Sequence, residues 1–345
     1  MKTKDHRARG GPAKVLVLQD LLMNLKFPSK KSQSKMGRNR TISEENGIPS
    51  YDPNSELVDN LSQIFFDLAN AKYVGYRPKL SLPIPLVTVS QDNACLHHTG
   101  GIVWETSYLL ASFLESKYSK ESSTIKSGDS KINFPLARTL EIGSGCGLLG
   151  LVLATIPLSS TVILTETSGP LKKLSQNVRE YNAKVGSSNS KQTHESNGCQ
   201  RLRATKLCWN NFEKDILREK EDLLPHSFDT IVGTDVVFSI DLVIPMLKTL
   251  VRMSHSKTKI YLCLQERCKD AHAKLMEEAP RFFKVKDYTE RASRMEGCEW
   301  GSYMDCKLFR LKKITREGRR RKRNRVQDED DNNANGHENK KSKKK

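Results

Sequence analysis

The sequence predicts an α/β fold built on a doubly wound, mostly parallel sheet. Three observations predict it. Strand-like and helix-like segments alternate from Arg138 to Leu311 at the spacing of strand–helix–strand units. A buried apolar strand runs into a glycine-rich turn that opens a helix, at Leu140–Gly150. The last two strands leave little room for a crossover helix, so they are expected to close the sheet as an antiparallel hairpin.

Taken in order, Val15–Phe27 reads as a short helix within a polar stretch. Leu57–Tyr73 sets Leu57, Leu61, Ile64, Phe65 and Leu68 on one helical face, and Leu80–Val89 alternates like a strand. Arg138–Ile142 is a strand and Leu148–Thr155 a helix; Thr161–Glu166 is a strand and Pro170–Tyr181 an amphipathic helix. Strands follow at Leu202–Trp209 and Phe228–Val237, then a helix at Leu242–Met253 and a strand at Lys259–Gln265. A helix at Asp270–Ala279 and strands near Phe282–Tyr288 and Met304–Leu311 complete the series. Residues 117–133 read as a Ser/Lys-rich linker and 184–200 as a polar surface loop. The organisation expected is a basic disordered region over 1–55, a folded domain over 56–313 carrying the two polar insertions 117–133 and 184–200, and a basic disordered tail over 314–345.

The formal charge of +18 sits at the ends. Residues 1–40 hold 11 Lys/Arg against 2 Asp/Glu and residues 316–345 hold 12 against 6, which leaves 35 against 32 between them. The folded part is thus nearly neutral, and the basic ends act as addresses or as contacts to acidic partners. Arg316–Arg325 and Lys340–Lys345 read as nuclear or nucleolar signals, or as nonspecific nucleic-acid contacts. Eight cysteines show no C-x-x-C pair, so no zinc or other metal site is expected, and a reducing compartment suits them. No apolar stretch approaches the roughly 20 residues that cross a bilayer, and no membrane contact is expected. A monomer is expected.

The glycine turn, Glu141-Ile142-Gly143-Ser144-Gly145-Cys146-Gly147, carries the most chemistry. Glycines let backbone approach a ligand closely, and the following helix offers unpaired N–H groups. Dinucleotide binding usually wants G-x-G-x-x-G, and Leu148 stands where the third glycine would be. The pattern here is G-x-G-x-G, with Glu141 two residues ahead. A carboxylate there is wasted beside a pyrophosphate, but it can help hold the cationic amino-acid end of S-adenosylmethionine, directly or through water. Gly143, Ser144, Gly145 and Gly147 are the expected cradle. Glu166, at the tip of the next strand, is placed to accept hydrogen bonds from both ribose hydroxyls. Trp209 follows the third strand and offers a flat face to the adenine.

At these residues the chain resembles the family 16 protein methyltransferases, non-histone lysine methyltransferases that include the enzyme acting on the valosin-containing protein ATPase. Four blocks carry the likeness over roughly residues 80–312: Thr99-Gly100-Gly101-Ile102-Val103-Trp104-Glu105, the Glu141–Gly147 turn, Leu207-Cys208-Trp209, and Asp235-Val236-Val237-Phe238. The family often has Asp where Glu166 and Cys208 stand, and Tyr or Phe where Phe238 stands. The resemblance implies a seven-strand, Rossmann-like class I methyltransferase using S-adenosylmethionine on a lysine of another protein. In that frame Asp235, at the carboxyl end of the fourth strand, meets the cofactor and aims the incoming amine. Phe238 would line the lysine channel and face the cationic nitrogen with its ring. Trp104 is expected to contact the cofactor or support its pocket. Arg267 is read as a solvated surface residue, with the substrate side as the alternative. Two other readings remain open: methylation of RNA or a small molecule on the same fold, and a non-catalytic adaptor. Base-modifying enzymes often carry prolines after the fourth strand, and Asp235–Phe238 has none.

Overall fold

In the computed structural model, residues 14–27, 54–79, 85–93, 99–122, 136–156, 159–189, 199 and 201–315 are described. The basic stretches at 316–345, most of 1–55, and the centres of both polar insertions lie outside these residues. The central sheet has seven strands in the order β6-β5-β4-β7-β8-β10-β9. They are β4 (Arg138–Ile142), β5 (Thr161–Glu166), β6 (Arg201–Lys206), β7 (Phe228–Thr234), β8 (Ser254–Leu264), β9 (Phe283–Asp287) and β10 (Lys307–Lys313). β4 to β8 pair in parallel, while β10 runs antiparallel to both β8 and β9. The sheet is therefore the doubly wound, mostly parallel one that the alternation predicts, and its last two strands are antiparallel neighbours.

Alternation along the parallel strands feeds two apolar layers, as a sheet covered on both faces requires. Leu140 and Ile142 of β4 and Ile163 of β5 point into a layer with α7 (Ile240–Met253) and α8 (Lys269–Glu278), through Met246, Leu250 and Leu275. Val162 and Leu164 point the other way. There they meet α2 (Ser55–Asn70), α3 (Glu105–Ser122), α4 (Leu148–Leu153) and α5 (Ser168–Asn189). Shorter helices, α6 (Phe212–Arg218) and α9 (Thr289–Ser293), fill connections that showed no sequence periodicity.

The N-terminal region differs from expectation. Val15–Phe27 is not one helix: β1 (Val15–Val17) pairs in parallel with β2 (Tyr73–Tyr76), and α1 (Leu18–Leu22) follows. β2 pairs antiparallel with β3 (Val87–Ser90), so part of the 1–55 stretch belongs to a second, three-stranded sheet. Three β-branched and apolar residues in a basic stretch are too few to show an alternation, and pairing with β2 supplies what local propensity does not. The described part of α3 runs to Ser122, six residues into the stretch read as linker, and α5 runs to Asn189 into the other insertion. Lys, Glu, Ser and Ala continue a helix once nucleated without any apolar face to announce it.

This small sheet positions the cavity described below. The buried Asn177 of α5 donates to Ser90 O at 3.0 Å and to Cys146 O at 2.8 Å, while its Oδ1 accepts from the Ser90 N–H and hydroxyl. Gln91 Oε1 accepts the Val103 N–H at 2.6 Å, and its Nε2 donates to Leu68 O and Ala71 O. β3 thus anchors both the glycine turn and the segment leading to Trp104.

Candidate active site

At the carboxyl end of β4 the chain turns through Gly143 (φ 60°), Gly145 (φ 54°) and Gly147 (φ 88°), all in the left-handed region. Ser144 staples the turn to β5: its N–H donates to Thr165 O at 2.9 Å, and its hydroxyl accepts the Thr165 N–H at 3.0 Å. A Cβ on Gly147 would lie 2.6 Å from Leu174 Cδ1 and 3.0 Å from Leu164 Cδ2, so this position is closed to side chains by both space and φ. Gly147→Ala is expected to lose about 2–4 kcal/mol of stability, from left-handed strain plus overpacking. Urea denaturation checks this, and a variant within 0.5 kcal/mol of the parent, as at a neutral surface site, would contradict it.

The turn forms one wall of a cavity of about 410 Å³, within the usual range for small-molecule sites. Gly100, Ile102 and Trp104 line it from the segment before α3, Glu166 and Pro170 from the end of β5 and the start of α5, and Trp209 from the turn after β6. Thr234, Asp235, Val236, Phe238 and Leu242 close the side formed by the end of β7. The cavity therefore brings together Trp104, Gly143, Ser144, Gly145, Gly147, Glu166, Trp209, Asp235 and Phe238, all expected from sequence. Trp209 stands over the turn, with ring atoms 3.5 Å from where a Gly143 Cβ would sit. Trp104 donates its indole N–H to Thr99 O at 3.1 Å.

Glu141 is the exception. Its side chain is buried and does not line the cavity. Because Leu140 and Ile142 face the α7 layer, Glu141 faces the opposite way, under α4, where its Oε2 accepts the Gly150 N–H at 3.0 Å. A Cβ on Gly150 would meet that oxygen at 2.6 Å, so a glycine nine residues downstream was the signal for this burial. Burial pushes the Glu141 carboxyl up to about 8, against the lowering effect of hydrogen bonds to Ser144 and Gly150. Glu141 shapes the turn from behind.

Glu166 has one oxygen on the Gly145 N–H at 3.0 Å and the other on the Thr167 N–H at 2.8 Å. Asp235 has a left-handed backbone, φ 48°, rare for a non-glycine. Its Oδ1 accepts the Gln265 N–H at 2.7 Å and its Oδ2 meets Arg267 Nη2 at 3.0 Å. Burial raises the Asp235 carboxyl from its ordinary range, while Arg267 and the Gln265 N–H pull it back. Sequence reasoning missed Ser107 and Thr234, whose hydroxyls share a buried hydrogen bond of 2.9 Å at the wall, and Asn177 behind the turn. Isolated polar residues in apolar segments carry no spacing that marks them. Arg267 is not a freely solvated surface arginine.

The lining tests which group fits. Among the described residues the cavity wall carries two carboxylates, Glu166 and Asp235, two tryptophans, and no Lys, Arg or His. That charge suits a cationic sulfonium and opposes a pyrophosphate. Gly143, Gly145, Glu166 and Trp209 would hold S-adenosylmethionine, which supplies an activated methyl group when bound.

A family model described as "Lysine methyltransferase" matches residues 86–284. The chain is 28% identical over 197 residues to the protein N-lysine methyltransferase METTL21A of Danio rerio, covering 57% of this chain and 74% of that one. Among solved structures, the METTL16 methyltransferase domain matches at a TM-score of 0.39 and 14% identity, covering 77% of this chain and 82% of that one. The Methanococcus jannaschii fibrillarin pre-rRNA processing protein matches at 0.36 and 13%, covering 61% and 77%. Neither structural likeness bears on the reaction. With the matched segment spanning the glycine turn, Trp209 and Asp235–Phe238, the chain belongs to the lysine methyltransferase family, and its methyl donor is S-adenosylmethionine.

Proposed function

We propose that the chain transfers the methyl group to a lysine side chain of a non-histone protein. The observation that carries this reading is the end of β7. There the buried Asp235 carboxylate and the Phe238 ring, 42% exposed, stand on the same cavity wall, one inside and one at the mouth. A lysine stem can pass Phe238 while its nitrogen reaches Asp235. The amine must shed its proton to water before its lone pair can take the methyl group that bound S-adenosylmethionine would supply, with the sulfonium sulfur as leaving group. Asp235 orients the amine through a hydrogen bond, and the aromatic face of Phe238 stabilises the methylated, cationic nitrogen. Asp235 is an aiming group and not an obligatory base, because a carboxylate also retains an ammonium.

The test is transfer of labelled methyl from S-adenosylmethionine to proteins of a cell extract, comparing wild type with Asp235→Ala. The expected result is a labelled protein band whose label maps to methyl-lysine. The variant is expected to lose about a hundredfold or more in rate, as misplaced reactants do. Label found only in RNA or small molecules would replace this reading with methylation of those substrates. Cofactor binding with no transfer to anything would leave an adaptor.

A further inference from the structure

Arg267 follows β8 and meets three partners at two places, Trp104 and Glu105 at the head of α3 and Asp235 at the end of β7. Its Nη2 lies 3.0 Å from Asp235 Oδ2 and 2.7 Å from Glu105 Oε2. Its guanidinium carbon sits 4.3 Å from the centre of the Trp104 ring. The Asp235 side chain is 5% exposed and that of Glu105 14%, so this is not a solvated surface pair. Arg267 does not itself line the cavity, whereas Trp104 and Asp235 both do. One side chain therefore ties the wall at the head of α3 to the carboxylate at the end of β7. Its Nη2 reaches both carboxylates while the guanidinium carbon stays over the Trp104 ring, a combination of ion pairing and ring contact that suits Arg. The left-handed backbone of Asp235 needs such restraint, and it receives it from the Asp235 N–H to Cys263 O bond at 3.0 Å, the Gln265 N–H and Arg267.

We propose that Arg267 is a positioning residue for methyl transfer. It holds the Asp235 carboxylate and the Trp104 ring in fixed relation and keeps that carboxylate charged while it orients the substrate amine. This rests on the role given to Asp235 above. The groups facing Asp235 are Arg267 from the turn after β8, Glu105 from α3, Cys263 from β8 and Cys306 ahead of β10. Burial pushes both thiols well above their usual range, so they stay neutral. Without Arg267, burial and Glu105 both drive Asp235 toward its protonated form.

The test uses the full chain as Arg267→Gln, Arg267→Lys, Asp235→Asn and the Asp235→Asn/Arg267→Gln double variant. Two readouts are followed between about pH 5 and pH 8. One is the melting temperature without any substrate; the other is the rate of labelled methyl transfer from S-adenosylmethionine to extract proteins, relative to wild type at each pH. Arg267→Gln is expected to lose about tenfold to a hundredfold in rate. That deficit grows as pH falls, because Asp235 takes up a proton. Its melting deficit grows as pH rises, because an unpaired charge must then stay buried. Both pH dependences vanish in the Asp235→Asn background, and Arg267→Lys restores the pH pattern without the full rate. Deficits independent of pH, or pH dependences that persist with Asn at 235, would overturn the proposal and leave Arg267 a structural residue. If wild type labels no lysine at any pH, the functional reading fails by itself. The melting comparison then still decides whether Arg267 holds Asp235 charged.

Discussion

Replacing Glu141 with Gln raises the stability of the folded chain above about pH 8 and leaves it nearly unchanged near about pH 5. The Glu141 carboxyl is pushed up to about 8 from an ordinary value of 4.5, chiefly by burial under α4. Between those values the folded chain keeps the proton and the unfolded chain gives it up. The folded state then binds more protons, so stability falls as pH rises, by about 1.4 kcal/mol per pH unit. The loss accumulates to about 5 kcal/mol and levels off once both states are ionised. Gln has the same shape, still accepts the Gly150 N–H, and has no proton to lose. Urea denaturation of both chains across this range checks it: the curves should diverge with rising pH. Parallel curves would mean that Glu141 is ionised and paired inside the fold.

Asn177→Ala is expected to cost about 3–5 kcal/mol and to weaken cofactor binding as well. Asn177 is fully buried and serves as donor to Ser90 O and Cys146 O and as acceptor for the Ser90 N–H and hydroxyl. Truncation leaves several of these groups without partners, at about 1–3 kcal/mol for each buried group left unsatisfied. Since Cys146 sits in the glycine turn, the loss also frees the turn from β3. Urea denaturation reads the first effect, and calorimetry with S-adenosylhomocysteine the second. A destabilised variant with unchanged affinity would show that the turn keeps its shape without the Asn177 tie to β3.

The parallel core was legible because its signals are local. Arg138–Ile142 runs into the glycine turn and Thr161–Glu166 follows Ser159-Ser160, and the structure gives both strands the bounds read from sequence. Glu166, Trp209 and Asp235 followed from one rule, that ligands sit at the carboxyl ends of such strands, while the glycine motif gave the turn and the family resemblance gave Trp104 and Phe238. What stayed hidden depended on distant partners. β1 exists because Tyr73–Gly75 lies beside it, and nothing within Val15–Val17 announces that pairing. Arg267 looks like any charged residue in a turn, since Glu105 lies 162 positions away. Glu141 was aimed at the cofactor on the strength of its motif. The strand alternation around it, with Leu140 and Ile142 on one face, already pointed its side chain to the other.

The position of β10 has a consequence for how the chain acquires its sheet during synthesis. Among the described strands β9 bonds to β10 alone, and β10 is the strand that joins it to β8. Until Lys307–Lys313 has left the ribosome, β8 presents an open edge and β9 has no place to dock. Asp235 and Arg267 flank the carboxyl end of β8, and Gln265 donates its side-chain amide to Met304 O, just ahead of β10. The reactive end of the cavity is therefore completed by a strand that emerges after all the other described strands. A nascent chain can form its glycine turn well before it can settle the carboxylate that aims the amine.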